Sequence, residues 1–384
     1  MLIISSFCLA EEKIQQYELL YSNSINCLNP SWAYDSRTFT VEDLTDNNYK
    51  LMLGRISDEG IGGRLLPIFN TKKQRGKQYK KRTERNAGWV KDDERFITLI
   101  AVNGGKDHVM KQIDIKTNND NISREMIRIT PPIKKQGGNQ LGIFEYTQKN
   151  YKTELLSGQP RCFTPMGDKE FYFMNLASHN TILRTAIYEE EIVPIKGFDV
   201  GRDIGISSLS ASSDGSKLLT VCYDNTFSEI YDLEIDMIKN IVISQNSVTK
   251  PDENLNFFGG IRYPDININK YALMGASETM SQNLVCKIFI VQDNQNLASL
   301  DGYYMSKDYD FYKRPIGQWI PETGSFFFLR PGNGGGELYF WNEQYEIKAD
   351  LKISNIRDFE FSSDGKYLIL TTQAPDNIMI YKVK

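Results

Sequence analysis

The stretch from Ile356 to Val383, IRDFEFSSDGKYLILTTQAPDNIMIYKV, constrains the fold more than any other part of the chain. Phe359 and Phe361 mark one strand. SSDGK reads as a tight hairpin turn, with Asp364-Gly365 supplying the positive φ that a short connection needs. Tyr367 to Thr371 is a second strand, apolar on both faces. Ala374 to Asn377 turns the chain again, and Ile378 to Val383 is a third strand. The same unit recurs six more times upstream in degraded form: an aromatic or apolar strand, a polar turn near an Asp, a hydrophobic strand, a turn and an alternating strand.

The other copies run from Pro30 to Ile56, Ala87 to Ile115, Pro160 to Tyr188, Ser207 to Leu233, Phe258 to Val291 and Gly317 to Asn342. Trp32 precedes Phe39 by seven residues, as Trp89 precedes Phe96. Between Asp35 and Asp364 the period averages about 55 residues. That exceeds the roughly 40–45 of a WD-type repeat, and the surplus lies in the connections. Several connections hold a fourth short strand: Arg64 to Phe69, Met126 to Pro131, Ile192 to Ile195.

Four strands repeated seven times predict an all-β, seven-bladed β-propeller of four-stranded blades, one domain over residues 11–384. Blades bury both faces against their neighbours. This explains why Phe326-Phe327-Phe328-Leu329 and Leu218-Leu219 are apolar without alternation. The last copy runs out after three strands, whereas Ile14 to Ser22 precedes the first copy without a unit of its own. Tyr17 precedes Trp32 by 15 residues, much as Tyr345 precedes Phe359 by 14. Gln16 to Tyr21 is therefore expected to be the outer strand of the last blade, closing the ring.

The strings SSDGS and SSDGK, each followed by an apolar strand, resemble the WD-like propeller repeats of the TolB family. The motif is specific at Asp214-Gly215 and Asp364-Gly365, and decays to Asp35-Ser36, Asp93-Glu94 and Gly167-Asp168 elsewhere. The Gly-His and Trp-Asp signatures of true WD repeats are absent. TolB carries an α/β domain ahead of its propeller, but only about 26 residues precede the first repeat here. The resemblance implies a stand-alone propeller of TolB type that serves as a periplasmic or intracellular interaction platform. The motif residues are structural, so it implies no catalytic residue.

Composition limits the function classes. With 40% hydrophobic and 24% charged residues the chain is globular, and 12% aromatics suit strands. A net charge of −4 gives no global pull toward nucleic acid, so no specific nucleic-acid binding is expected. No apolar run reaches the ~18 residues of a membrane-spanning helix. Residues 1–10, MLIISSFCLA, lack charge and end at an Ala that suits signal peptidase. They read as an export signal whose basic start lies upstream, which predicts a periplasmic or exported protein. The alternative is a buried or frayed strand of a cytoplasmic protein. Phe7 is bulky where a lipoprotein signal wants a small residue, which argues against a lipid on Cys8. Cys8, Cys27, Cys162, Cys222 and Cys286 form no metal-ligand spacing, and the apolar runs around Cys222 and Cys286 predict buried free thiols.

Two stretches are candidate binding sites. Lys72 to Arg85 holds eight basic residues, Lys72, Lys73, Arg75, Lys77, Lys80, Lys81, Arg82 and Arg85, and one acid. It suits an anionic surface such as lipid headgroups or cell-wall polymer, and otherwise reads as a solvated loop. Tyr303, Tyr304, Tyr309, Phe311 and Tyr312 crowd a connection between the fifth and sixth blades. Exposed, they would recognise a peptide or glycan; otherwise they pack on strands and edges. Gly332 to Gly336 lacks the Lys-Ser/Thr of a phosphate loop and reads as a hairpin. His108 and His179 stand apart from any ligand partner, and no G-x-S-x-G or H-E-x-x-H occurs. The expected protein is a monomeric, non-catalytic platform without metal or cofactor, binding a protein or a cell-envelope polymer. The alternative is a hydrolase- or lactonase-like propeller enzyme acting on a sugar, lactone or peptide with carboxylates in the central channel.

Overall fold

The computed structural model describes residues 16–33, 35–43, 45, 50–57, 60–61, 65–70, 87–89, 95–102, 107–115, 127–129, 160–166, 170–175, 182–186, 191–200, 205–223, 227–282, 285–303, 317–332 and 335–384. A strand β1 (Tyr17–Asn23) comes first. The first sheet holds β2 (Cys27–Trp32), β3 (Thr38–Asp43), β4 (Lys50–Ser57), β5 (Gly60–Ile61) and β6 (Leu66–Asn70). Two four-stranded sheets follow. One is β7 (Ala87–Trp89), β8 (Arg95–Val102), β9 (Asp107–Ile115) and β10 (Ile127–Ile129); the other is β11 (Pro160–Met166), β12 (Glu170–Asn175), β13 (Ile182–Ala186) and β14 (Glu191–Pro194).

The fourth sheet is β15 (Ile206–Ala211), β16 (Lys217–Tyr223), β17 (Ser228–Asp236) and β18 (Ile241–Ser247). The fifth is β19 (Asn256–Arg262), β20 (Lys270–Ala276), β21 (Val285–Gln292) and β22 (Gln295–Tyr303), with a helix α1 (Glu278–Gln282) between β20 and β21. That helix explains why the fifth repeat looks loose in sequence. The last sheet has eight strands: β23 (Gly317–Ile320), β24 (Ser325–Gly332), β25 (Gly335–Trp341), β26 (Glu346–Lys348), β27 (Ile356–Phe361), β28 (Tyr367–Thr372), β29 (Ile378–Val383) and β1. Its two halves, β23–β26 and β27–β29 with β1, join only at Gly336 opposite Ile356.

Every named pairing is antiparallel, and the four four-stranded sheets are meanders. Several four-stranded antiparallel sheets in an all-β chain are consistent with a β-propeller. First strands lie beside first strands: β2 beside β7, β7 beside β11, β11 beside β15, β15 beside β19, β23 beside β27, and β27 beside β2. Five of them slip register against the second strand, at Leu28/Ser31, Arg161/Thr164, Ile206/Ser208, Phe257/Gly259 and Ile356/Asp358. A bulge at a similar place in these five bends the strand and adds twist.

β1 pairs with β29 from Tyr17 opposite Val383 to Asn23 opposite Ile378. The expected outer strand is present, one residue later at its start and two at its end. Lys384 N donates to Gln16 O at 2.9 Å, and Lys384 Nζ meets Glu18 at 2.7 Å.

The core is divided among the faces where sheets meet. Phe326 and Phe328 pack into the cluster shared with the fifth sheet, with Trp319, Trp341, Met274 and Ile288. Phe327 and Leu329, pointing the other way, pack with Phe359, Phe361, Leu368 and Leu370. Alternation in direction without alternation in polarity is what a strand covered on both faces requires. Tyr367 and Ile369 likewise join the cluster around Trp32 and Phe39, opposite Leu368 and Leu370. Phe39 leaves no room for a side chain on the residue it faces: a Cβ on Gly54 would lie 2.2 Å from Phe39 Cζ. Cys27, Cys222 and Cys286 are buried thiols outside any disulfide, as the apolar runs around the last two predict.

In the SSDG turns only the glycine takes a positive φ, +77° at Gly215 and +67° at Gly365. The Asp does other work. Asp364 Oδ1 accepts from Lys366 N at 3.1 Å and Ser362 Oγ at 2.7 Å, and Asp214 Oδ1 accepts from Ser216 N at 3.0 Å and Ser212 Oγ at 2.7 Å. In the first repeat Ser36 occupies the left-handed position at φ +55°, and Asp35 Oδ1 accepts from Arg37 N and Thr38 N.

Candidate functional site

Polar side chains on the first strands are used to join sheets. Ser208 Oγ donates to Gly260 O at 3.2 Å and accepts from Gly260 N at 3.3 Å. Gly260 is required there, since a Cβ would lie 2.7 Å from Leu219 Cδ2. Ser210 Oγ accepts from Arg262 N, and Ser207 Oγ donates to Phe258 O. Gln318 bonds both backbone groups of Phe361, at 2.8 and 3.1 Å. Trp319 Nε1 donates to Ile261 O, and Trp32 Nε1 donates to Glu360 O, so each indole ties its sheet to another. Asn29, at φ +51°, donates from its backbone N to Asp358 Oδ2 and from Nδ2 to Glu42 Oε2. Asp358 and Glu42 are both buried, and these donors satisfy charge that would otherwise be costly to bury.

Where the first strands begin, five half-buried polar residues from three sheets meet. Tyr303 ends β22 and shares a side-chain hydrogen bond with Gln373, in the loop after β28. Burial pushes the Tyr303 phenol up, and Gln373 and the positive Arg357 nearby pull it partly back. Arg357 Nη1 donates to Asn26 Oδ1 at 3.0 Å, reaching the first sheet. Asn355 Nδ2 donates to Gln373 O, and Gln373 N donates to Asn355 O at 3.1 Å. The loop beside them is held by Thr372, whose Oγ1 donates to Pro375 O at 2.7 Å and accepts from Asn377 N at 3.2 Å. The result is a preorganised surface carrying a phenol, a guanidinium and amides. It suits hydrogen bonding and ring contact with a partner.

Buried cations lie at the opposite end of the fifth sheet, one starting β20 and one ending β19. Lys270 is 3% exposed, and its Nζ bonds Glu343 Oε1 at 2.7 Å. The same ammonium sits 5.1 Å from the Trp341 ring, 5.3 Å from Trp319 and 5.8 Å from Tyr263. Arg262 is fully buried and paired with Asp232, whose Oδ2 accepts from Tyr271 OH at 2.6 Å. Burial, then Asp232, pushes the Tyr271 phenol well up. These charges are consumed between neighbouring sheets.

Of the sequence-predicted aromatic set, Tyr303 lies in the fourth strand of its sheet rather than in a connection. Tyr304, Tyr309, Phe311 and Tyr312 lie outside the described residues, as do residues 1–10 and all eight basic residues from Lys72 to Arg85. Among the described residues no group of three or more His, Cys, Asp or Glu could hold a metal ion, and no helix is long and apolar enough to cross a membrane. Asn26, Asn355, Arg357 and Gln373 escape sequence reasoning because they form no motif. They come together only through the pairing of the chain's two ends and the spacing of the repeats. The one available signal was position, at the start of a first strand or just after a second.

No family model and no curated protein matches the chain. Among solved structures it is similar to a chain of the "Crystal Structure of Mitotic Checkpoint Complex", at 10% identity and a TM-score of 0.55, over 96% of this chain and 93% of that one. At that identity the likeness concerns the fold alone, and the fold is that of a WD40-like β-propeller.

Proposed function

We propose that the chain is a non-catalytic binding platform, a closed seven-bladed ring of TolB type whose partner is a protein. One observation carries the reading. Tyr303, Gln373, Arg357, Asn26 and Asn355, drawn from three sheets, form a half-buried polar and aromatic set at one end, fixed by their hydrogen bonds to one another. Loops on a rigid scaffold are where recognition residues concentrate, and Tyr and Arg are the side chains that anchor interfaces. The SSDGS and SSDGK turns support the TolB-type reading. The similar solved chain comes from a complex of proteins by its title, which favours a protein partner. Placement in the cell envelope belongs to the same proposal and rests on residues 1–10.

The test is affinity capture from a cell-envelope extract with the immobilised chain and with a Tyr303→Ala/Arg357→Ala variant of unchanged thermal melting. The expected result is a protein retained in stoichiometric amount by the native chain and lost by the variant. Equal retention by both, or conversion of a small substrate by the native chain alone, would overturn the reading.

A further inference from the structure

A cavity of about 260 Å³ opens at the rim of the fourth sheet, where β17 begins and β18 ends. Phe227, Glu229, Tyr231, Val248, Lys250 and Glu253 line most of it. Part of its wall is apolar and aromatic, with Tyr231 and Val248 buried and Phe227 half-buried, and Ser228, Ser247 and Thr249 add hydroxyls. Glu229 Oε2 accepts from Tyr231 OH at 2.5 Å. The other oxygen of Glu229 takes no hydrogen bond among the described residues.

The protein already places a cation here. Lys250 Nζ lies 5.4 Å from the centre of the Phe227 ring and 3.0 Å from Glu253 Oε2. The Lys250 side chain is 21% exposed, but its carboxylate partner Glu253 is 73% exposed, so the ion pair itself is weak and easily screened. An aromatic wall beside carboxylates is the chemistry that recognises a positive charge. Two carboxylates face one ammonium, so the cavity keeps a negative balance even with Lys250 inside.

We propose that this cavity binds a basic side chain of a protein partner, with Glu229 as its counter-ion, Phe227 and Tyr231 as its walls, and Lys250 as an internal stand-in that swings out to admit it. The inference rests on the platform reading and names the partner's chemistry at one place.

The test uses the full chain and two peptides, Gly-Gly-Arg-Gly-Gly and the same sequence with citrulline, which keeps the shape of arginine without its charge. Methyl NMR of Ile230 and Val248 reports binding. The arginine peptide is expected to shift both methyls saturably, with affinity falling as salt rises, and the citrulline peptide to leave them in place. Glu229→Gln weakens binding about tenfold, and Lys250→Gln strengthens it several-fold. Lys250→Gln changes a side chain at the cavity mouth, so it remains informative if Glu229→Gln unfolds. Equal shifts from both peptides, or weaker binding by Lys250→Gln, would overturn the assignment. If a partner depends on Tyr303 and Arg357 but the peptides bind alike, only this cavity's role fails. If no partner is found while the arginine peptide binds, the platform reading fails and the cavity stands as a cation site.

Discussion

Lys270 shows how a buried charge can be made to stabilise a fold. Three rings and one carboxylate surround its ammonium, replacing the water it gave up. Lys270→Met is expected to cost about 2 kcal/mol, the value of a desolvated cation–π site, read from urea unfolding. Glu343→Gln should cost under ~1 kcal/mol, because the Glu343 side chain is 64% exposed. Equal effects of the two would mean that the ion pair, not the rings, holds the lysine. The turn carboxyls lead to a pH prediction. Burial alone would raise Asp364, but hydrogen bonds from Ser362 and from the backbone N–H of Lys366 outweigh it and hold the carboxyl below its ordinary value; Ser212 and Ser216 do the same for Asp214. A carboxyl held down in the folded chain lends stability above its unfolded value, near pH 4, and that stability vanishes as pH falls through the folded value. Asp364→Asn should therefore lower stability at pH 7 by about 1 kcal/mol and flatten the decline below about pH 4, seen in urea midpoints at both ends of that range. The Asp-Gly string announced a turn, but its chemistry was hidden. The dipeptide reads as two positive-φ residues, whereas only Gly365 needs the freedom and Asp364 acts as an acceptor.

At the scale of elements, the pairing of β1 with β29 is the joint most open to test. Removing residues 16–23 strips β29 of its only outer neighbour and leaves an unpaired edge, a template for other strands. The shortened chain should unfold at lower urea and associate, which sedimentation would detect; an equally stable monomer would show that β1 is ornamental. Tyr17 and Tyr381 meet edge-to-face across this joint at 6.5 Å, and burial pushes the Tyr381 phenol up to about 12. A raised phenol contributes stability that is whole below the unfolded value, about 10, and is lost as pH climbs through the folded one. Thermal melts at pH 8 and 11 should show a drop for the native chain that Tyr381→Phe reduces. First, second and third strands were legible because repeated aromatics and turn residues mark them. Some outer strands were not. β18 reads IVISQNS and β22 reads QNLASLDGY, with several exposed residues and little to separate them from loop. Tyr303 was misplaced for that reason: its strand carried no apolar signature.

For the whole molecule, the run Phe326 to Leu329 was the most reliable guide. A strand apolar at every position must be covered twice, and here successive rings enter different clusters. The proposed recognition surface could not be foreseen in the same way. Arg357 and Asn26 are 331 positions apart in the chain, and nothing local in either predicts the other. Stability is thus spread over many faces of similar size instead of one centre, so a single large-to-small change should weaken one face and spare the rest. The union of the earliest strand with residues 378–383 also bears on biosynthesis. While the ribosome is still translating, every intervening sheet has its own strands to hand, but the segment at 17–23 has nothing to bind until translation has passed residue 383. It stays available to chaperones, proteases and neighbouring nascent chains for longer than any other described strand, since its partner is the last one made.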